Sequence, residues 1–388
     1  MRKLLLACAA AATVGFTGAA SAANMDAMTP KPAVEPGKIV VRLDANMLFI
    51  AGVSSDSANK SNATGAEKQQ YGVDGYFRLY PTMDGMTTKG SKYGAAVEIR
   101  TNSAAGSKAG QIGGAGLGSG SSNSNKETFY IRRAYGYVGT DQLGTIRMGQ
   151  IDGVLGLMKV GDNQGFGDGG LNGDVPDFTP SISAWQFPFS VGAEYATGKL
   201  IYLSPNFAGF DFGVSFAPST TALLGSINGI SGANNAQLAA GPGVAARARD
   251  MYELNLRYRG NFSGVGVAAN VGYFGSGVVR GSSAARGLSI IDAGAQISAY
   301  GVTVDGHMST GRLNGQPNLS ASGEKDAMMY IIGAIYDNGP YNVGIHYSNI
   351  SMPGTLGDGV ARKISAVALG GAWNWPPGTT LLSEVQTG

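Results

Sequence analysis

The stretch KIVVRLDANMLFIA, Lys38 to Ala51, decides the fold class. Apolar side chains occupy every second position, and the positions between them include Arg42, Asp44 and Asn46. Because side chains of a β-strand point alternately to opposite faces, this spacing predicts a strand with one apolar and one polar face. Charges in the middle of such a strand favour a polar, water-filled space on one side of the sheet.

The same alternation returns along the chain. It is clearest in VDGYFRLY (73–80), YGAAVEIR (93–100), MYELNLRYRG (251–260) and YNVGIHYS (341–348). A soluble sandwich would turn the apolar face towards a core, whereas an outer-membrane barrel turns it towards lipid. Short turns alternate with long Gly- and Ser-rich loops, and strands of about 9–11 residues suit a tilted membrane strand. The sequence therefore predicts an all-β fold, an antiparallel transmembrane β-barrel.

Aromatic residues also gather near the predicted strand ends, as they do in the interfacial girdles of membrane barrels. They are Phe129, Tyr130, Tyr135, Tyr137, Tyr336, Tyr341, Tyr347, Trp373 and Trp375.

The composition restricts the possible partners of the protein, and the N-terminal residues indicate that it is exported. The 388 residues include 28 Lys+Arg against 26 Asp+Glu, and a net charge of +2 with no basic patch argues against nucleic acid as a partner. Residues 1–22 are typical of a cleaved signal peptide: Arg2 and Lys3 precede an apolar run, and Ala20-Ser21-Ala22 forms the cleavage site. A flexible leader, 23–37, would follow, and 38–388 would form the barrel. Since Cys8 is the only cysteine, the mature chain would have no disulfide or thiolate metal site.

The segment ETFYIRRAYGYVGTDQLGTIRMGQIDG, Glu127 to Gly153, sets two adjacent arginines in a strand. Strict alternation puts Arg132 on the polar face beside Ala134 and Gly136, and puts Arg133 on the apolar face with Tyr135 and Tyr137. An arginine facing lipid costs about 2–4 kcal/mol at the membrane midplane. We therefore expect Arg133 to lie near a strand end or to be covered by another subunit.

From about Lys38 onward the sequence resembles the Gram-negative general porins, which are trimeric, sixteen-stranded outer-membrane diffusion channels. The resemblance rests on YFRLY (76–80), IRRAYGYVGTDQLGTIRMGQIDG (131–153) and KLIYLSPNFAGFDFGVSFAP (199–218). In the family's inward-folded third loop the motif Pro-Glu-Phe-Gly-Gly-Asp is frequent. Pro176-Asp177-Phe178 matches its first half, while Thr179-Pro180-Ser181 departs from the second.

This resemblance implies a constriction. Residues 152–191 would fold back into the barrel and narrow it. Their carboxylates would face basic residues of the wall, and the candidates are Asp162, Asp168, Asp174 and Asp177. On the wall, Arg78 and Arg132 match the family's constriction positions. Arg42 and Arg100 share the lumen face and are either further members or solvated charges; Lys199 is a remote candidate for the family's wall arginine after the loop.

Two functions remain open at this point, both with outer-membrane lipid and a homotrimer as partners. One is passive diffusion of small hydrophilic solutes and ions; the other is a channel selective for a sugar or an anion, which Tyr76 and Tyr80 beside Arg78 favour. No cofactor is predicted, and His307 and His346 lack the spacing of a metal site. Ser309 near His307 is weak support for an enzyme.

The strand count raises a further expectation. Loop alternation gives about fifteen strands, beginning near Ile39 and ending with one near Thr379, whereas bacterial single-chain barrels have an even number. Porins also end in an aromatic residue, and residue 388 is glycine. We therefore expect the sequence to lack its last strand and to leave a gap between the first and fifteenth.

Overall fold

A computed structural model describes residues 9–14, 34–55, 70–101, 129–162, 165–167, 169–172, 197–219, 246–279, 284–314, 319–353, 362–375 and 379–387. In these segments the chain is almost entirely strand. The strands are β1 (Ala9–Val14), β2 (Ile39–Val53), β3 (Tyr71–Met86), β4 (Lys92–Thr101), β5 (Phe129–Thr140), β6 (Gly144–Ile151), β7 (Thr197–Leu203), β8 (Phe210–Ser219), β9 (Arg247–Phe262), β10 (Val265–Val279), β11 (Ala285–Arg286), β12 (Ser289–Ala299), β13 (Val302–Arg312), β14 (Ser320–Ala321), β15 (Ala327–Asn338), β16 (Tyr341–Met352), β17 (Arg362–Trp375) and β18 (Thr379–Thr387). A short helix, α1 (Val154–Leu157), and a 3₁₀ turn (Gly170–Asn172) lie between β6 and β7.

Sixteen of these strands form one closed antiparallel barrel, and β11 and β14 pair with each other in a separate two-stranded sheet. The predicted fold class is therefore confirmed. Fifteen of the barrel strands, β2 to β18 without β11 and β14, match the predicted count, and the first and last of them begin at Ile39 and Thr379 as predicted. Because each polar backbone group is bonded to a neighbouring strand, a closed barrel can cross lipid without an exposed edge.

The predicted gap is not open in this structure. Ala9–Val14 lies between the first and last of the fifteen predicted strands and pairs with both, since Ala12 is opposite Phe49 of β2 and Leu381 of β18. Sequence reasoning assigned these residues to the signal peptide and left the position vacant. A run of alanines fits because a strand needs only free backbone groups on both sides to complete the ladder.

Tight turns join the strands at one end of the barrel. Ser263-Gly264 connects β9 to β10 and Tyr300-Gly301 connects β12 to β13, with positive φ at both central residues of each pair. This is the geometry of the two-residue hairpin turn that matches strand twist, and glycine at the second position adopts it without strain.

The alternation read from the sequence gives the side-chain directions of most strands. On β2, Val41 is 76% exposed and faces outward, whereas Asn46 is buried and faces the interior. Outward aromatic rings form pairs at both ends: Tyr341 with Trp373 and Phe210 with Tyr258 beside the tight turns, and Tyr330 with Tyr347 towards the long loops. Within the described residues, no helix combines the length and apolar character needed to span a membrane.

Strand β5 departs from strict alternation. Glu98 of β4 pairs with Arg133, but the next residue, Ile99, pairs with Ile131, so Arg132 is the extra residue of a β-bulge. The bulge reverses the parity beyond it. Arg133 is therefore not on the lipid side as predicted but is buried inside the barrel.

Two aromatic residues change sides with Arg133. Tyr135 packs inside against Ile151 and Ile201, and the Tyr137 hydroxyl donates to Asp84. Both were predicted to belong to the outer girdle, which is wrong for the same reason.

Candidate pore constriction

Four arginines meet on the inner wall of β3, β4 and β5. Arg78 pairs across the strands with Arg100, and the bulge brings Arg132 and Arg133 beside them. We call Arg78, Arg100, Arg132 and Arg133 the arginine cluster. Without the bulge one of the two adjacent arginines would point to lipid, so the irregularity in the strand is what concentrates charge at this position.

Two buried carboxylates hold the cluster. Glu98, which is 0% exposed, accepts hydrogen bonds from Nε of Arg100, Nε of Arg133 and, at 3.3 Å, Nη1 of Arg132. Asp152 accepts from Nη2 of Arg132 at 3.1 Å and from Nη1 of Arg133 at 2.8 Å. Charge-assisted bonds of this kind fix the planar guanidinium groups in direction as well as in position.

The cluster concentrates positive charge on this part of the wall. Among the described residues, the carboxylates of Glu98 and Asp152 bind three of its four guanidinium groups. The guanidinium carbon of the fourth, Arg78, lies 3.6 Å from the centroid of the Tyr76 ring, a contact that stabilises the cation. Such a concentration of charge on a narrow wall generates a field across the interior.

Arg42 is not part of the cluster. It binds Asp84 at 2.7 Å and approaches Asp44 at 3.9 Å. Along β2 it is four residues from Asn46, the register partner of Arg78, which is a separation of about 13 Å at the usual rise per residue. Arg42 therefore lies nearer the tight-turn end of the barrel.

The chain after β6 runs back into the barrel, in contact with the inner wall. The N–H of Leu155 donates to Glu253 of β9 at 2.9 Å, and the N–H of Val160 donates to Asn270 of β10 at 3.0 Å. Further along, Asn342 of β16 donates to the carbonyl of Gly165 at 2.6 Å. Gly170 in turn donates to Glu384 of β18 at 3.0 Å. The described residues from Asp152 to Asn172, which we call the inward loop, thus follow the wall from β8 to β18.

His307 forms the central anchor of the inward loop. Its Nδ1 lies 2.7 Å from the carbonyl oxygen of Val160 and its Nε2 lies 2.9 Å from Asp292. The Ser309 hydroxyl donates to the same carboxylate at 2.6 Å, not to His307. This geometry lacks the nucleophile–base contact of a hydrolase. Among the described residues, no group of three or more His, Cys, Asp or Glu side chains could hold a metal ion.

The comparisons with known proteins agree with this arrangement. The profile of the Gram-negative porin family matches residues 7–388. The chain belongs to the Gram-negative porins. It is an outer-membrane channel for the passive diffusion of small hydrophilic solutes. No curated protein sequence matches it.

Solved porin structures share the fold of this porin at low sequence identity. An anion-selective porin from Comamonas acidovorans has a TM-score of 0.53 and 15% identity, over 90% of this chain and 98% of its own. Salmonella typhi OmpF, solved with daunomycin, has a TM-score of 0.53 and 14% identity, over 89% and 96%. A mutant of the Rh. blastica porin has a TM-score of 0.51 and 11% identity, over 90% and 98%.

Of the four loop carboxylates predicted to face the arginines, only Asp162 belongs to the described residues. Asp168, Asp174 and Asp177 lie outside the described residues. Asp162 binds Lys159 of the same loop at 2.5 Å. It follows Gly161, which contacts β12 and β13.

Strand order places β13 half the circumference of the barrel from β4. The part of the loop around Asp162 therefore lies on the wall opposite the cluster, whereas Asp152, at the start of the loop, binds the cluster.

Sequence reasoning missed the two carboxylates that the arginines bind. Glu98 shares a face with Arg100 and could have been named from alternation, but its contact with Arg133 depends on the bulge. Asp152 was assigned to the loop without a role. Lys199 is buried in the wall, where its Nζ donates to Thr197 at 2.8 Å and to the carbonyl of Ile151 at 3.2 Å.

Proposed function

We propose that this porin is a general diffusion channel with a preference for anions, narrowed between the arginine cluster and the inward loop. The observation that carries the proposal is the convergence of four guanidinium groups, those of Arg78, Arg100, Arg132 and Arg133, on one part of the inner wall. A cluster of charges at a constriction raises the local concentration of counter-ions and affects which ions permeate, because every solute must pass close to it.

A second candidate is a channel selective for one class of small anion. The packing of Arg78 on Tyr76 supports it, since a fixed guanidinium can act as a binding site as well as a field. The structurally similar porin from Comamonas acidovorans is named anion-selective. A general channel predicts permeation ranked by size and charge, whereas a selective one predicts that a particular anion blocks the current at micromolar concentration.

The double variant Arg78→Ala/Arg132→Ala tests the constriction. In planar bilayers separating a KCl gradient, we expect its reversal potential to shift towards cations and its conductance to rise, because charge and bulk leave the same narrow place. Arg257→Ala/Arg259→Ala is the matched control. It also removes two inward arginines, but these bind Asp211 near the tight-turn end. Equal shifts in both double variants would contradict the assignment of the cluster as the constriction.

We also propose that the porin is a homotrimer. The outward faces of β3, β4 and β5 carry Gly75, Ala95, Ala134 and Gly136, which allow close approach of another surface, while the aromatic pairs lie on other strands. A cysteine placed at Ala134 should form cross-links between subunits, and one at Ala269 on β10 should not.

A further inference from the structure

The wall beneath the inward loop is built from glycines. At five places where the loop meets a strand, the inward-facing residue is a glycine: Gly213 on β8, Gly272 on β10, Gly294 on β12, Gly344 on β16 and Gly370 on β17. We call these five residues the loop seat. They follow the order in which the loop meets the strands, from Val154 and Met158 at Gly213 to Gly167 at Gly370.

Space, not backbone conformation, requires glycine at these positions. None of the five has a positive φ. A β-carbon at Gly294 would overlap the carbonyl oxygen of Val160 and lie 2.5 Å from Nδ1 of His307. One at Gly344 would overlap the ring of Phe166, and one at Gly272 would overlap Leu155. Close packing leaves no room for even a methyl group unless the loop moves.

The hydrogen bonds of the loop hold it at the same places. Val160 is bonded through its N–H to Asn270 and through its carbonyl to His307, on the strands either side of Gly294. Beyond Gly344, the N–H of Gly170 donates to Glu384 at 3.0 Å. These hydrogen bonds hold the loop against the wall, and the glycines allow a short distance between the loop and the strands.

We propose that Gly294 and Gly344 determine the cross-section of the pore by letting the inward loop lie flat on the wall. A side chain at either position would push the loop away from the strands and towards the lumen. The loop seat therefore sets the size limit for solutes. This role is separate from the charge preference proposed for the arginine cluster.

Gly294→Ala tests this role directly. Two measurements report the size of the pore: the single-channel conductance in concentrated KCl and the largest polyethylene glycol that enters the channel. The reversal potential is measured separately and reports charge selectivity. We expect conductance to fall roughly twofold and the polymer limit to shrink, since both follow the open cross-section. The reversal potential should keep its sign.

Gly266→Ala is the matched control, because Gly266 is an inward glycine of β10 whose β-carbon would meet only Ser298, at 3.7 Å. It should behave as the wild type. Conductance and polymer limit equal to those of Gly266→Ala, or larger, would overturn the proposal.

A second test does not depend on the folding of Gly294→Ala. Phe166 is fully buried against the wall, so Phe166→Ala by itself should leave the lumen surface in place. Gly344→Ala should lower conductance in the wild-type background and have little effect in the Phe166→Ala background, where the ring that it meets is gone. An equal effect in both backgrounds would overturn the role of Gly344. Heat-modifiable migration on gels confirms that each variant is folded.

Discussion

Glu98 carries the charge balance of the arginine cluster. It has no exposed surface and accepts hydrogen bonds from three guanidinium groups. A buried carboxylate in this position compensates charges that could not otherwise be removed from water. Three of the four guanidinium groups in the cluster therefore share this one carboxylate.

Replacing Glu98 with glutamine should affect both properties. We expect Glu98→Gln to lower the free energy of unfolding by about 3 kcal/mol, because Arg133 is left buried with less compensation. Anion preference should increase, since one negative charge is removed from beside the arginines. Urea unfolding in lipid vesicles, followed by tryptophan fluorescence, measures the first effect, and the reversal potential measures the second.

The exposed Lys92–Asp141 pair, at 2.6 Å, provides the control for this experiment. Asp141→Asn should leave the unfolding midpoint unchanged, because exposed ion pairs contribute little. If Glu98→Gln unfolds at the wild-type midpoint, the carboxylate does not hold the cluster.

For single residues, the sequence predicts well which face of the strand a side chain points to, but it predicts poorly which groups that side chain binds. Alternation alone places Arg42, Arg78 and Arg100 on the inner face, where the structure has them. It fails at Arg133, because a bulge adds one residue without any signal in a run such as YIRRAY. The loop seat was equally hidden: glycine is so frequent in this chain, at 62 residues, that no single glycine stands out.

The strands are the elements that the sequence specifies most clearly. Each is a period-2 pattern bounded by turn residues, and lipid outside with water inside makes both faces informative. The inward loop is the opposite case. Its anchors Glu253, Asn270 and His307 lie 98, 110 and 147 residues from the groups that they bind, so no local pattern could reveal them.

The prediction that outward-facing side chains contact lipid can be tested on β9. Leu254 lies near the middle of the strand and faces outward, at 49% exposed. Leu254→Arg should lower the free energy of unfolding by about 2–4 kcal/mol, the depth-dependent cost of arginine in lipid. Phe262→Arg, at the tight-turn end of the same strand, should cost about 1 kcal/mol or less. Similar costs at the two positions would contradict a lipid-facing surface for β9.

At the scale of the whole molecule, the alternation of apolar and polar residues specifies the barrel wall. It does not specify how the interior is packed. Inside, Met251, Phe274, Ile290, Met329 and Ile350 form an apolar cluster with Leu155 of the inward loop. This cluster gives the barrel a packed region on the side of the loop, while the arginine cluster lies on the other side. The pore is therefore asymmetric in packing as well as in charge.

Export gives a prediction at the scale of the whole chain. We expect the protein recovered from outer membranes to begin at Ala23, because Ala20-Ser21-Ala22 fits a signal-peptide cleavage site. Since Ala9–Val14 lies within the removed residues, cleavage would take β1 out of the barrel. Intact-mass analysis measures this, and Ala22→Leu is the control that should block processing. A mass that includes residues 1–22 would contradict cleavage and keep β1 in place.

The anchoring of the inward loop also orders events in time. Gly170 is bonded to Glu384 and Gln386, which follow it by 214 and 216 residues. Contacts of such long separation form late, because the intervening chain must first be ordered. An inserting chain therefore completes most of its wall while its passage is still wide, and reaches its final bore only when β18 has joined the sheet.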